Sequence, residues 1–484
     1  MGRNERVVVI GAGMSGVLCG IALDRAGLHD YVIYEKASRL GGTWRDNTYP
    51  GLACDVPSHV YSYSFEPNPD WSHRFSPGPE IAHYLERTAR KYGVHDRIEF
   101  GCEVTRCERV DDRWHVGLAD GRTDVADFVI TAVGVLHHPS IPAIEGMQEF
   151  EGALFHSARW DHDVDHAGRR VGVIGNGSTG VQIVGDIVDQ VESLTLFQRT
   201  PQWILPGANK PYSDEERARL RADPAALASL RVELTASFSN AFSDAVIGAE
   251  SEGMRGIEAV CLQNLEQSVH DAELRERLRP DYRAACKRLI VADSFYDAIQ
   301  RPNAQLVSDA IERFEPRGVR TRDGRLHELD VVVLATGFDA HRFMRPMAVI
   351  GSQGRTLDEA WSPTPRAYRS VSLPGFPNFF MMVGPHSPIG NFSLIEISEL
   401  QIGFILQLIE QVRAGRCREI SASRAATDRF NAEIRDAMKG TIWVTGCRSW
   451  YLDAEGVPAT WPWSVQRYRD EMQHPDLADF DRLA

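Results

Sequence analysis

The sequence predicts an α/β fold in which one βαβ arrangement occurs twice and a helical insertion is added. Three observations predict it. The β-branched run Val7 to Ile10 leads into Gly11-Ala12-Gly13-Met14-Ser15-Gly16 and then an apolar helical stretch. The same order returns at Val171 to Ile174, followed by Gly175-Asn176-Gly177-Ser178-Thr179-Gly180. Residues 213–285 differ from both: they are charged, nearly free of glycine in their first half, and helical in pattern.

The elements follow in order. Val7 to Ile10 reads as a buried strand, and the helix after Gly16 runs through Leu23 to an end near Gly27. Tyr31 to Tyr34 is a second strand, closed by Glu35. Leu40 to Phe65 is loop-like, rich in Gly, Pro and Tyr, and Ile81 to Tyr92 is helical. Ile98 to Val104 and Arg113 to Leu118 alternate as strands, and Asp127 to Val133 is a buried strand ending at Gly134. In the second unit a helix runs to about Val188, a strand covers Leu194 to Phe197, and Asp330 to Leu334 is a further buried strand. Gln401 to Val412 is an amphipathic helix stopped by Gly415.

Composition bounds the function. The chain has 484 residues, 43% hydrophobic and 25% charged, an ordinary globular balance. Its net charge of -14 argues against nucleic acid or an anionic membrane as a general partner. The eight cysteines include no C-x-x-C pair and read as reduced, intracellular thiols. The first residues lead straight into a strand, so no signal peptide is expected, and the run Val7 to Leu23 is too broken by glycine to span a bilayer. The expectation is a cytoplasmic protein without a metal site. His137-His138 has no ligand-like spacing.

Each glycine loop lies between a strand and a helix, the context that makes such a loop a dinucleotide site. The first glycine allows the tight turn, the second lets backbone approach a pyrophosphate, and the third lets helix pack on strand. The second strands differ. Glu35 ends the first, where a carboxylate suits the ribose of FAD. Gln198-Arg199-Thr200 ends the second, where an arginine suits the 2′-phosphate of NADPH. We therefore expect two Rossmann-like domains. Residues 1–150 and 339–484 form the FAD-binding domain, 151–212 and 286–338 the NADP-binding domain, and 213–285 the insertion. Two dinucleotides on one chain imply hydride transfer from NADPH to a flavin. Cys102 and Cys107 have the C-x-x-x-x-C spacing of a disulfide reductase, but they flank a strand and read as packing residues.

Between the two units lies Phe150-Glu151-Gly152-Ala153-Leu154-Phe155-His156-Ser157-Ala158-Arg159-Trp160-Asp161. It matches F-x-G-x-x-x-H-x-x-x-W-[P/D], and the chain resembles the class B flavoprotein monooxygenases, specifically type I Baeyer–Villiger monooxygenases. Gly41-Gly42-Thr43-Trp44, Tyr49-Pro50-Gly51 and Cys54-Asp55 resemble that family's flavin loop. Cys286-Lys287-Arg288 and Gly446-Cys447-Arg448-Ser449-Trp450-Tyr451 also match. In Gly384-Pro385-His386-Ser387-Pro388-Ile389-Gly390-Asn391 only the Gly-Pro start and the Asn are familiar.

The resemblance implies that NADPH reduces FAD, that oxygen then gives an anionic peroxyflavin, and that a small-molecule ketone becomes an ester or lactone. It implies catalytic roles for Arg288 and for Asp55, the carboxylate holding it. A guanidinium suits an oxygen anion because it keeps its proton. It implies FAD contacts at Gly11, Gly13, Ser15, Gly16, Glu35, Lys36, Gly42, Thr43, Trp44, Asp55, Tyr61 and Val104. It implies NADP contacts at Gly175, Asn176, Gly177, Ser178, Thr179, Gly180, Arg199, Thr200, Lys287 and Trp450. Trp450 is read both as a lid on NADP and as core packing. Phe150, Gly152, His156, Trp160 and Asp161 are fingerprint residues, with His156 read as a linker or hinge. Sulfide or amine oxygenation is the alternative chemistry. A flavin-binding redox sensor is a third reading, disfavoured because a sensor has no use for Arg288 and Asp55.

Overall fold

The computed structural model describes residues 5–390 and 392–483, the side chains of 239–241 excepted. Asn391 of the loop above lies outside the described residues. Two five-stranded parallel sheets organise the chain. The first has the order Phe379–Met381, Phe128–Thr131, Val7–Ile10, Tyr31–Glu35, Ile98–Phe100. The second has the order Ala153–His156, Val331–Leu334, Arg170–Ile174, Ser193–Phe197, Ala304–Val307. The two orders correspond strand for strand. In each, the strand before the glycine loop is central, and both sheet faces are covered, which is why these strands are continuous apolar runs rather than alternating ones.

Both loops use the same steric logic. Gly11 and Gly175 sit at φ +102° and +106°, where a β-carbon would approach the carbonyl oxygens of Ala132 and Ala335 to 2.7 and 2.4 Å. At Gly16 and Gly180 a β-carbon would lie 1.8 and 2.0 Å from the carbonyl oxygens of Gly11 and Gly175. The helices Met14–Arg25 and Ser178–Ile187 can start against their strands only because those atoms are missing.

Two boundaries differ most from the sequence expectation. The stretch read as one strand from Ile98 to Val104 is two, Ile98–Phe100 and Val104–Val110. Gly101 turns between them at φ +69°, and the chain leaves the parallel sheet for a four-stranded one. The amphipathic helix read from Gln401 begins earlier, at Leu394, and ends at Arg413. Its first turns bury Ile395 and Ile397.

Residues 213–285 fold into five α-helices: Asp214–Ala222, Pro224–Leu234, Ala241–Val246, Glu252–Ser268 and Ala272–Leu278. Ser213 starts the first with a reciprocal bond to Glu216, and Asp223, Ser251 and Asp271 cap three others. The helix Glu252–Ser268 spans two cores. Met254 and Cys261 pack with the first sheet's interior, and Leu265 packs with the second's.

The chain crosses between the sheets twice, once after Thr131 and once after Leu334. The crossings touch. Ser140 donates its N–H to the Gly337 carbonyl at 2.8 Å, Asp339 donates to His138 at 2.9 Å, and the Thr336 hydroxyl donates to the Ser140 carbonyl at 2.6 Å. Among the described residues, no helix is long and apolar enough to cross a membrane.

The glycine geometry yields a paired test. Gly180→Ala forces backbone apart and should cost at least about 1–3 kcal/mol. Gly177→Ala places its β-carbon where nothing lies within 4 Å, so its cost should stay within about 0.5 kcal/mol. Thermal denaturation of the two variants checks this, with a clear Tm loss expected only for Gly180→Ala.

Candidate active site

A cavity of about 1430 Å³ lies between the two sheets, at the carboxyl ends of their strands. That is larger than the roughly 300–1,000 Å³ typical of a single small-molecule site. Both glycine loops open onto it. So do Ser15, Glu35, Lys36, Gly42, Thr43, Trp44, Tyr61 and Val104 from the first unit. From the second come Asn176, Ser178, Thr179, Arg199, Thr200 and Lys287. Gly16 and Gly180 lie beneath the loops, consistent with a helix-packing part rather than a ligand-facing one.

The chain fits two dinucleotides on its own geometry. The helices Met14–Arg25 and Ser178–Ile187 lack any side-chain cap, so their first N–H groups face the cavity for an anion. Glu35 accepts the Ala12 N–H at 2.8 Å and the Ala37 N–H at 2.9 Å, which fixes the carboxylate at the lip of the first loop. The Trp44 indole donates to the Tyr61 hydroxyl at 3.2 Å. On the other side, Arg199 and Lys287 place two positive charges close together. Burial, then the Arg199 charge, lowers the Lys287 ammonium. A phosphate dianion would relieve that repulsion.

Asp55 and Arg288 meet in this cavity, one from each unit. The Arg288 Nε and Nη2 groups donate to Asp55 Oδ2 at 3.1 and 2.5 Å, and Nη1 donates to the Gly390 carbonyl at 3.0 Å. Burial opposes the guanidinium charge, but Asp55 and then Tyr451 more than offset it and hold its pKa above the ordinary range. A guanidinium has five N–H groups, and these three bonds leave two for Tyr451 and the cavity.

The fingerprint residues do not line the cavity. The Phe150 ring packs edge-on to Phe314 and covers Gly152, where a β-carbon would lie 2.4 Å from that ring. Trp160 packs on Phe155, and Asp161 accepts the Asp163 N–H at 3.0 Å. His156 is buried. Its Nδ1 accepts the Ala158 N–H at 3.1 Å, so Nε2 carries the proton and donates to the Gly337 carbonyl at 3.0 Å. Burial lowers its pKa, so the ring is neutral near pH 7. Both nitrogens are used, which leaves no free site for proton transfer. The same Gly337 carbonyl takes the Ser140 N–H, so His156 fastens the point where the two crossings touch.

Sequence reasoning missed three features. Tyr49 and Gln182 tie the loop beside the first sheet to the second unit: the Tyr49 hydroxyl donates to Gln182 Oε1 at 2.9 Å, and Gln182 Nε2 donates to the Ala53 carbonyl at 3.0 Å. Gly390 (φ +90°) is held close to Tyr451, whose hydroxyl oxygen would lie 2.3 Å from a β-carbon there. The reading of all eight cysteines as reduced is corrected. Cys286 and Cys447 form a disulfide across 161 residues, with Cα atoms 6.1 Å apart. No short spacing announces such a pair.

Comparison with known proteins agrees with this geometry. Residues 8–214 match a family described as pyridine nucleotide-disulphide oxidoreductase. An uncharacterised monooxygenase of Mycobacterium tuberculosis is 47% identical over 100% of this chain and 97% of its own. A Baeyer–Villiger monooxygenase of Streptomyces coelicolor is 39% identical over 99% of this chain and 93% of its own. The crystal structure of cyclohexanone monooxygenase from Rhodococcus sp. Phi1 bound to NADP+ superposes with a TM-score of 0.88 at 28% identity, covering 99% of both chains.

Removing the His156 fastening should loosen the crossing without touching the cavity wall. His156→Ala is expected to retain its flavin while turnover slows or more reducing equivalents are lost to oxygen. The flavin absorbance of the purified variant and its NADPH consumption check this. Complete loss of flavin would make the residue structural instead.

Proposed function

The chain belongs to the Baeyer–Villiger monooxygenase family, and from that premise we propose that it uses NADPH, FAD and O2 to oxidise a small-molecule ketone to an ester or lactone. The net reaction is ketone, O2, NADPH and a proton going to ester, NADP+ and water. We assign FAD to the unit of residues 1–150 and 339–484, and NADPH to residues 151–212 and 286–338. The observation that carries the reading is the Asp55–Arg288 pair in the wall of a cavity shared by both glycine loops.

Bound FAD supplies the redox chemistry, accepting a hydride from NADPH and passing two electrons to oxygen. The chain's own groups do the rest. The first loop and its helix start hold the FAD pyrophosphate, with Glu35 at the ribose. Arg199 and Lys287 select the 2′-phosphate. Arg288 presents a fixed positive charge where negative charge develops on oxygen, and such a preorganised charge needs no rearrangement during reaction. It keeps its proton, so it would stabilise negative charge on oxygen beside the bound flavin without neutralising it, which suits a reaction at an electrophilic carbonyl carbon. Asp55 orients the guanidinium and lowers the cost of burying it. Trp450 and Gly390 close the wall near Arg288.

NADPH should be preferred to NADH. Each charge-assisted contact from Arg199 and Lys287 is worth about 1.5–3 kcal/mol, so the two together should give at least about a hundredfold in kcat/KM. Equal kcat/KM for the two coenzymes would refute the assignment.

Arg288→Ala should still bind FAD and still be reduced by NADPH. Losing one preorganised electrostatic contact costs roughly 2.7–4 kcal/mol in comparable sites. The electrons should then appear as hydrogen peroxide. Ester formed and peroxide released per NADPH, over a panel of cyclic, linear and aryl ketones, decides it. Wild-type ester yield in the variant would move the oxygenation site elsewhere.

A further inference from the structure

The Cys286–Cys447 disulfide sits immediately behind the wall that carries Arg288. Cys286 precedes Lys287 and Arg288, and Cys447 precedes Arg448, Ser449, Trp450 and Tyr451. Lys287, Arg288, Arg448, Ser449 and Trp450 all line the cavity. Both sulfurs belong to buried residues. Neither residues 281–289 nor residues 445–450 contain an α-helix or strand. No strand pairing joins these two segments, so the sulfur bridge is the covalent tie that sets their spacing. A second tie lies a few residues further on, where Tyr451 meets the Arg288 guanidinium. The Tyr451 ring packs on Trp450 at 4.3 Å and rests against Gly390, whose carbonyl accepts from Arg288.

We propose that Cys286 and Cys447 are an oxidation site that sets the position of Arg288. Closed as a disulfide, the pair holds the 446–451 segment, with Tyr451 and Trp450, against the guanidinium. Opened to two thiols, it releases that segment, and Arg288 loses a constraint. The oxidant is hydrogen peroxide, formed when the two electrons passed to oxygen do not reach a substrate. The sulfur of one thiolate attacks the peroxide: an S–O bond forms, the O–O bond breaks, and hydroxide leaves to become water. The second sulfur then attacks the first, an S–S bond forms, and a second water leaves. Two thiols have lost two electrons and two protons, and one peroxide has become two waters. Peroxide leakage therefore closes the latch and suppresses further leakage.

The inference rests on Arg288 being the oxygenation arginine, so the test separates the two. Holoenzyme is treated with dithiothreitol or with hydrogen peroxide, and non-reducing peptide mass spectrometry follows the 286–447 link. Peroxide released and ester formed per NADPH are measured in parallel, with Tm. The reduced wild type, Cys286→Ser and Cys447→Ser should each release at least about threefold more peroxide per NADPH than the oxidised wild type, since small misplacements of a catalytic group are costly. The serine variants should ignore both reagents. Oxidised Tyr451→Phe should move toward the reduced behaviour. A Tm loss with an unchanged ratio of ester to peroxide would make the bridge a structural staple and overturn the proposal. A link that peroxide cannot form, or that dithiothreitol cannot open in the folded holoenzyme, overturns it as well. If the serine variants fail to fold, the treated wild type decides alone. Should Arg288→Ala keep wild-type ester yield, the assignment of Arg288 fails instead, whatever the cysteines do.

Discussion

The arrangement depends on one ion pair formed across the two halves of the molecule. Asp55 comes from the loop beside the first sheet, and Arg288 from the segment leading into the second sheet's later strands. An unpaired guanidinium in such a wall would be expensive, and so would a lone carboxylate. Each group is best stabilised while the other unit is docked. The ion pair therefore couples two tasks, keeping the halves together and keeping a positive charge in the cavity they share.

The rest of the site surrounds that pair. Tyr49 and Gln182 add neutral hydrogen bonds across the same junction, and the helix Glu252–Ser268 adds apolar packing to both cores. These contacts are short-ranged and sensitive to distance. Both glycine loops open onto one cavity, so each loop faces a wall that belongs to the other unit.

Much of this was legible in the sequence because its causes are local. A turn that needs positive φ demands glycine, so both loops announced themselves, and every residue assigned to them lines the cavity or lies directly under it. Glu35, the last residue of its strand, and Arg199, two residues past the end of Ser193–Phe197, were legible as cavity-lining positions because each follows its loop at a known distance. The fingerprint was legible as a motif but not as a mechanism. That Phe150 packs on Phe314, and that His156 reaches Gly337, are facts of tertiary contact. Tyr451, Gly390 and the Cys286–Cys447 bridge were illegible for the same reason. Their partners lie 60 or more residues away along the chain, and no short-range spacing records the pairing. The early start of the helix Leu394–Arg413 was missed because its first turns are apolar on more than one face, which hides a period.

The meeting of the two crossings at Gly337 has a mechanical consequence. A joint made by two chain segments that hydrogen-bond side by side resists sliding and pulling, since either would break several bonds at once. It yields to torsion, which only redistributes a few backbone dihedrals. Of the contacts between the two sheets, this joint is therefore the one that turning disturbs least, and His156 sits where the two crossings meet.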